Sequence, residues 1–429
     1  MTYVTSPPAK PGKNAFFFVV VAVILNMISF GIIMPVMPAL LEDITGLGAE
    51  QSVSYGGWLS MTFAVANFFA MPILGGLSDR YGRRPVLLAS IAMLGVDLLI
   101  MGLAPTLSIL FIGRFLGGLF SGTYSVANAY IADVTEPEDR GRAFGMMGAA
   151  FGIGFILGPV FGGLLGEINA RLPFFVAAAI AGINFLYGLF ILPESLPKED
   201  RRDFDLSRAN PFGALAHFAK VPRVAWFIIA IGLFQIAHAV YPSTWNFHGE
   251  IRYDWSEFEI GLSLGAVGIG SAISQALLTG YLIKRFGPMR AGMFGLFMNA
   301  IALLLFAFAG APWMAYTIIA VSAVGGVAMP AINTITSNLT PRNAQGELQG
   351  AQASMMALTL IFSPVLMTQT LKYFANLPDE SPLHFGGAAF LLGAIITALA
   401  FIPFLIGVGI NRRAIQDAEA AEPTPSAAE

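Results

Sequence analysis

Long apolar runs recur along this chain, and they restrict its fold to helices in a lipid bilayer. A hydrocarbon layer of ~30 Å takes about 20 helical residues to cross, and lipid offers no hydrogen-bond partner to an irregular backbone. Charged residues make up 11% of the chain, whereas soluble proteins average about 25%. The sequence therefore predicts an all-α membrane protein with twelve transmembrane helices. The runs lie near 15–40, 55–77, 86–104, 107–132, 142–165, 172–192, 224–248, 259–282, 290–310, 313–338, 347–371 and 384–410.

The twelve runs form two sets of six that repeat one another. A shift of 205 residues places Gly75 on Gly280 and Pro159 on Pro364. Such pseudo-repeats are typical of transporters that bind substrate at the repeat interface near the middle of the membrane. The predicted organisation is a cytoplasmic tail at 1–14, a six-helix bundle at 15–192, a cytoplasmic linker at 193–223, a second six-helix bundle at 224–410 and a disordered cytoplasmic tail at 411–429.

The basic residues predict that both termini are cytoplasmic. In that orientation all 23 lysines and arginines lie in cytoplasmic loops and tails except Arg114, Arg171, Arg252 and Lys372, which agrees with the positive-inside rule. The first apolar run is too long for the core of a signal peptide. We therefore expect a multi-pass protein of the cell inner, or plasma, membrane.

Several functional classes do not fit the sequence. It contains no cysteine, four scattered histidines and a net charge of -3, so it predicts neither a metal site nor nucleic-acid binding. It has neither the phosphate-binding loop of an ATPase nor a nucleophile elbow. We expect no cofactor and no enzymatic activity, and we expect a monomer in the bilayer that binds a small molecule.

A short charged loop joins the second and third runs. An aspartate can accept hydrogen bonds at a helix start, and arginines can bind carboxylates. The loop resembles that of the major facilitator superfamily of transporters between spans two and three. The resemblance implies alternating access, with Asp79 and Arg83 holding the cytoplasmic side closed. The matching gating-loop residues are Gly75, Asp79, Arg80, Gly82, Arg83 and Arg84.

The fifth run carries the GxxxGPxxGG pattern that is associated with antiporters of this superfamily. Its glycines, from Gly141 to Gly166, predict a face that contacts another small-residue helix. We expect that partner to be run eight, through Gly261, Gly265 and Gly268. Packing without any role in exchange remains an alternative. The motif residues are Gly154, Gly158, Pro159, Gly162 and Gly163.

Three titratable residues inside the runs, Asp97, Arg114 and His238, are candidates for a functional role. Asp97 and Arg114 are predicted at one depth, ~10 Å from the outer surface at ~1.5 Å per residue. A charge in a span costs roughly 2.5 to 3.5 kcal/mol, so we expect a buried ion pair, and a role in proton handling is compatible with it. His238 could titrate near neutral pH and couple transport, or it could be a hydrogen-bonded structural residue.

Neutral polar side chains on several runs predict a substrate cavity between the two halves. Along the fourth run, small and polar residues follow Arg114 at helical spacing, and Asn128 and Asn333 are related by the repeat. The predicted cavity residues are Asn26, Ser29, Ser121, Ser125, Asn128, Gln235, Trp245, Asn299 and Asn333, together with His238.

Within the superfamily the chain is most similar to the tetracycline efflux group of drug/proton antiporters. Segments at 31–38, 129–133 and 346–350 carry this resemblance. It implies export of a small drug-like molecule in exchange for protons. Members of that group have titratable residues where this chain has Asn26, Gly270 and Asn299. An uncoupled or differently coupled carrier of a metabolite is therefore an alternative, and a non-transporting sensor or scaffold is a second one.

Overall fold

All regular structure in the described part of the chain is helical. The computed structural model describes residues 13–136, 138–204, 222–341, 344–378, 380–381 and 383–421. Parts of the predicted tails and linker, at 1–12, 205–221 and 422–429, lie outside these residues. A 3-10 turn covers Lys198–Asp200, and a π-helical turn covers Ser274–Thr279. The α-helices are α1 (Lys13–Ile32), α2 (Met37–Thr45), α3 (Ala49–Tyr81), α4 (Arg83–Leu103), α5 (Leu107–Leu119), α6 (Thr123–Val134), α7 (Arg140–Gly166), α8 (Leu172–Ile191), α9 (Pro222–His238), α10 (Val240–Tyr253), α11 (Glu257–Ile273), α12 (Gly280–Phe308), α13 (Pro312–Gly325), α14 (Ala328–Leu339), α15 (Gln345–Ala375) and α16 (Ala388–Ala421).

Ten helical stretches among the described residues are long and apolar enough to cross a membrane. The count is eleven if α1 and α2, which meet at a bend of 46°, form one span. The longest stretch, Glu257–Phe308, has 52 residues, which at ~1.5 Å per residue would extend ~78 Å. Because the hydrocarbon layer is only ~30 Å thick, this stretch cannot be a single straight span. Its backbone leaves the helical conformation at Gly287, with φ 77° and ψ 156°.

The described residues form two compact units, each with its own apolar core. Unit 1 contains the described residues within 1–210 together with Trp255–Gly268, and unit 2 contains the others. Trp255–Gly268 includes most of α11, so this helix contributes to unit 1 although it follows α9 and α10 of unit 2. The core of unit 1 includes Phe18, Ile91, Tyr130 and Met147, and that of unit 2 includes Phe227, Leu296, Ile332 and Phe404.

Helix ends in the two units share backbone angles at the 205-residue offset. Gly82, between α3 and α4, has φ 106° and ψ 160°, close to the angles of Gly287. Both lie at positive φ, which glycine adopts without steric cost. Ala104 and Ala309 follow α4 and α12 with φ/ψ of -60°/119° and -62°/119°. These two pairs of positions agree with the 205-residue offset seen in the sequence.

The last helix extends beyond the predicted boundary of the second bundle. α16 continues to Ala421, into the segment from residue 411 that was expected to be disordered. That segment is rich in alanine, arginine, glutamine and glutamate, which have high helix propensity. Helix continuation is therefore locally favourable there.

Candidate functional site

Four apolar runs are interrupted at corresponding positions of the two units. In unit 1, α1 and α2 are separated by residues 33–36, and α5 and α6 by residues 120–122. In unit 2, Ala239 separates α9 from α10, and Gly326 and Val327 separate α13 from α14. These breaks coincide at the 205-residue offset. Interrupted helices in corresponding positions of two halves indicate a transport site, because backbone groups that are free at a break can bind a ligand. At Ala239 the break is slight, since the Ala239 N–H donates to the Gln235 carbonyl oxygen and the Ser243 N–H donates to that of Ala239.

In unit 1 the polar residues of the stripe predicted along α5 and α6 differ in exposure, and the break at 120–122 lies within that stripe. Ser121 and Ser125 are exposed and Asn128 is half-buried, whereas Arg114 is buried. Asn67 on α3 donates through Nδ2 to the Ser121 carbonyl oxygen over 3.3 Å. This bond supplies a partner for one carbonyl at the break.

The two predicted cavity residues on α1 are both buried. Asn26 is 7% exposed and Ser29 is fully buried. The Ser29 hydroxyl donates to the Leu25 carbonyl oxygen over 2.9 Å and lies 3.3 Å from the Ala177 carbonyl oxygen on α8. The hydroxyl therefore has acceptors within unit 1, and its contact with substrate stays a prediction.

In unit 2 the predicted residues of α9 and α10 belong to an aromatic cluster. The His238 ring is exposed, and it stacks on Phe234 with centroids 5.3 Å apart and contacts Tyr241 at 4.9 Å. Trp245 is 2% exposed and packs edge-on against Phe306 at 5.0 Å. Trp245 is thus the buried part of the cluster, whereas His238 is exposed and Gln235 is half-buried.

The two amides predicted on later spans differ in exposure. Asn333 on α14 is exposed, as expected for a residue that lines a cavity. Asn299 on α12 is 1% exposed, and its Oδ1 atom has no hydrogen-bond partner among the described residues. The backbone of Asn299 packs against Gly325, at the end of α13. An ideal Cβ on Gly325 would be 3.0 Å from the backbone nitrogen of Asn299.

Asp97 and Arg114 form the buried ion pair that the depth argument predicts. The Arg114 guanidinium donates through Nη2 to Asp97 Oδ2, and it lies over the Phe63 ring, 5.3 Å from the centroid. Asp97 is fully buried. A Cβ on Gly117 would lie 2.8 Å from the Asp97 carboxyl carbon, so the absence of a side chain at Gly117 gives the carboxylate its position.

The predicted gating loop is the turn between α3 and α4, and its charges interact within unit 1. The Arg83 guanidinium contacts Asp79 Oδ1 at 2.5 Å and Asp133 Oδ2 at 3.1 Å. Arg84 donates to the Leu189 carbonyl oxygen at the end of α8 over 2.7 Å. Arg80 is exposed. The loop therefore connects α3, α6 and α8, and its gating role stays a prediction.

Glu194 is part of this loop's network, although the sequence analysis placed it in the linker. Its Oε1 atom accepts a hydrogen bond from the Arg83 backbone N–H over 2.7 Å, so it caps the N-terminus of α4, where a carboxylate is favourable. The Gly82 conformation allows this approach, since a Cβ there would lie 2.6 Å from the Glu194 carboxyl carbon. Ser195 Oγ also donates to Asp133 Oδ2 over 3.1 Å.

The start of the predicted linker is thus attached to the loop. The Arg202 N–H donates to the Asp79 carbonyl oxygen over 3.2 Å, and the Phe204 ring packs on Gly76. A proline before an acidic residue, just after an apolar run, was the available sequence signal. It could not indicate which helix N-terminus the carboxylate would cap.

The glycines of α7 contact two helices. As predicted, the α11 glycines pack on α7, with an ideal Cβ on Gly261 3.1 Å from the Pro159 carbonyl carbon. The contact with α1 was not predicted: a Cβ on Gly158 would lie 2.8 Å from Gly31 Cα, and one on Gly162 2.7 Å from the Ile32 carbonyl carbon. By contrast, no described residue lies within 4 Å of a Cβ at four glycines that were expected on the same packed face, Gly141, Gly145, Gly148 and Gly152.

The sequence pattern of the Major Facilitator Superfamily matches residues 19–364 and 246–427. This chain belongs to that superfamily. Tetracycline resistance protein class C of Escherichia coli is 39% identical over 384 residues, 90% of this chain and 94% of that protein. The class G protein of Vibrio anguillarum is 37% identical over 389 residues, 91% of this chain and 95% of that protein. The superfamily consists of transporters, so the interrupted helices lie in a multi-pass transport protein that is similar to tetracycline resistance proteins.

A solved structure of the superfamily has the same fold. The bacterial homologue of the human lysosomal transporter Spinster, in an inward-facing and unoccupied conformation, superposes with a TM-score of 0.76 at 16% identity. The match covers 95% of this chain and 98% of that one. At this identity the likeness extends to the fold alone. It agrees with an all-helical superfamily fold.

Proposed function

We propose that this protein is a secondary transporter that exports a small, amphipathic organic molecule by alternating access, in exchange for protons. The observation that carries the proposal is the set of four helices interrupted at repeat-related positions, with exposed neutral polar side chains beside the breaks. Such breaks are found at the substrate sites of secondary transporters. The two tetracycline resistance proteins described above support the drug-like class of substrate.

The proposed topology has twelve spans in two six-helix repeats. It counts α1 and α2 as one span and divides the 52-residue stretch into two spans at Gly287. The basic residues then place both termini in the cytoplasm by the positive-inside rule, and the gating loop lies on the cytoplasmic side. We also propose that the protein is a monomer within the lipid bilayer.

The proposed substrate contacts are neutral in both units. Unit 1 offers Ser121, Ser125 and Asn128, and unit 2 offers Gln235 and His238, with Asn26, Asn299 and Asn333 as further predicted contacts. Hydroxyl and amide groups beside apolar and aromatic surface suit an amphipathic molecule. A sugar phosphate would require several buried cations, and Arg114 is already paired with Asp97.

Proton exchange is the less supported part of the proposal. Amides cannot bind and release protons near neutral pH, and this chain has Asn26 and Asn299 where the tetracycline antiporters have carboxylates. The titratable residues that the sequence analysis offers for coupling are Asp97 and His238. Asp97 is committed to Arg114, so we propose His238, whose ring is exposed, as the first group to test for coupling.

The decisive experiment uses purified protein in liposomes with an imposed pH gradient and a dye that reports internal pH. Tetracycline and other amphipathic drugs are added in turn. Antiport predicts proton movement only when substrate is present, and predicts that His238→Gln reduces it more than Asn333→Gln does. Substrate flux that is indifferent to the gradient would identify an uncoupled carrier. No flux with any substrate would favour the sensor or scaffold.

A further inference from the structure

Two buried oxygen atoms without hydrogen-bond partners flank the break between α13 and α14. They are Oδ1 of Asn299, on α12, and Oγ of Ser274, at the start of the π-helical turn. The two side chains are 1% and 4% exposed. A buried polar atom that lacks a partner costs about 1 to 3 kcal/mol, and native proteins retain few of them. Two such atoms at one break make it a candidate for ligand binding.

Asn299 and Ser274 both lie next to the glycines at this break. A Cβ on Gly325 would lie 3.2 Å from Asn299 Cβ, and one on Gly326 would lie 3.7 Å from Ser274 Oγ. One helical turn before Asn299, Gly295 approaches the first residue of α14, with an ideal Cβ 3.0 Å from Ala328 Cβ. The side chains of Asn299 and Ser274 therefore lie against consecutive residues of the interrupted segment.

The break itself supplies further oxygens. The last carbonyls of a helix have no partner within that helix, and they form the negative end of its dipole. The Ala323 carbonyl accepts the Gly326 N–H over 3.2 Å. The Gly326 carbonyl has no helical donor four residues later, because that residue is Pro330 and proline has no N–H.

All of these groups are neutral oxygen acceptors. The described segments 270–274, 295–299 and 322–330 contain no charged residue and no histidine, so they contribute neither a carboxylate that would favour Ca²⁺ or Mg²⁺ nor a group that titrates near neutral pH. Unwound carbonyls and helix C-terminal ends are the usual ligands of Na⁺ in transporters with interrupted helices. We propose that Asn299, Ser274 and the carbonyls at the end of α13 bind a dehydrated sodium ion.

Binding of ²²Na⁺ to the full-length protein in lipid nanodiscs tests this proposal. Choline chloride keeps the ionic strength constant, and no organic substrate is added. We expect saturable binding that exceeds that of empty nanodiscs. Loss of one oxygen ligand should weaken binding about tenfold in Asn299→Leu, and Ser274→Ala should also weaken it.

Two further variants keep the result interpretable if Asn299→Leu folds poorly. Asn299→Asp adds a negative charge beside the same oxygens and should tighten ²²Na⁺ binding. Ser363→Ala is the matched control, because Ser363 is another fully buried serine of unit 2 with an unpartnered Oγ, but it lies on α15. It should bind as the unaltered protein does.

Two results would overturn the proposal: no saturable binding, which would mean that water alone fills the site, or equal affinity in the unaltered protein, Asn299→Leu and Asn299→Asp. The inference does not rest on the proposed function. Its failure would leave drug and proton transport untouched, since the measurement involves neither.

Discussion

Removing one partner of the Asp97–Arg114 pair should destabilise the protein far more than removing both. Asp97→Asn leaves the Arg114 guanidinium in a low-dielectric environment without a charged partner among the described residues, and Arg114→Met leaves the carboxylate unpaired. Breaking a buried pair in this way costs about 3 to 5 kcal/mol. The double variant leaves no uncompensated charge, so it should lose less stability than either single variant, and the two single losses should not add.

The assay is a double-mutant cycle on the free energy of unfolding, measured by SDS titration in mixed micelles. Asp43→Asn is the matched control, because Asp43 pairs with Arg171 at 2.8 Å with the two side chains 53% and 26% exposed. An exposed pair contributes about 0 to 1 kcal/mol. The control should therefore lose little stability by the same substitution.

Additive losses in the Asp97 and Arg114 variants would refute the reasoning. They would mean that each charge is stabilised by something other than its partner. Equal losses in Asp97→Asn and Asp43→Asn would contradict it as well, because burial would then make no difference to the cost of an unpaired charge.

Three further substitutions test close contacts within unit 1. Gly162→Ala should destabilise the protein by about 1 to 3 kcal/mol by overpacking α1 against α7, whereas Gly148→Ala should not. Thermal melting in detergent would compare the two variants, and equal melting midpoints would contradict the close packing of α1 on α7. Gly117→Ala should lower the melting temperature by displacing the Asp97 carboxylate. The decrease in melting temperature should be smaller when Asp97→Ala is also present. An equal decrease in both backgrounds would mean that the contact between Gly117 and Asp97 is unimportant. Glu194→Gln removes a negative charge that contributes up to about 1 kcal/mol at the start of α4. Trypsin should then cleave after the basic residues that follow Glu194 up to about fivefold faster. An unaltered cleavage rate would count against the cap.

The sequence predicted the helical superfamily fold and the pairing of Asp97 with Arg114, because both follow from regular spacing along helices. It did not predict the breaks in the four runs, since apolar residues continue through them and hydropathy is insensitive to backbone direction. Contacts between distant segments, such as Glu194 with the start of α4, depend on tertiary structure and have no local pattern.

The membership of α11 in unit 1 has a consequence for dividing the chain. Cutting within residues 205–221 would produce two polypeptides, but the first would lack Trp255–Gly268, which packs against Pro159 and Gly163 of α7. In the first fragment α7 would keep its contact with α1 but would lose the helix that packs on Pro159 and Gly163. The two fragments should therefore accumulate only when co-expressed, with the second fragment acting as an obligate folding partner of the first.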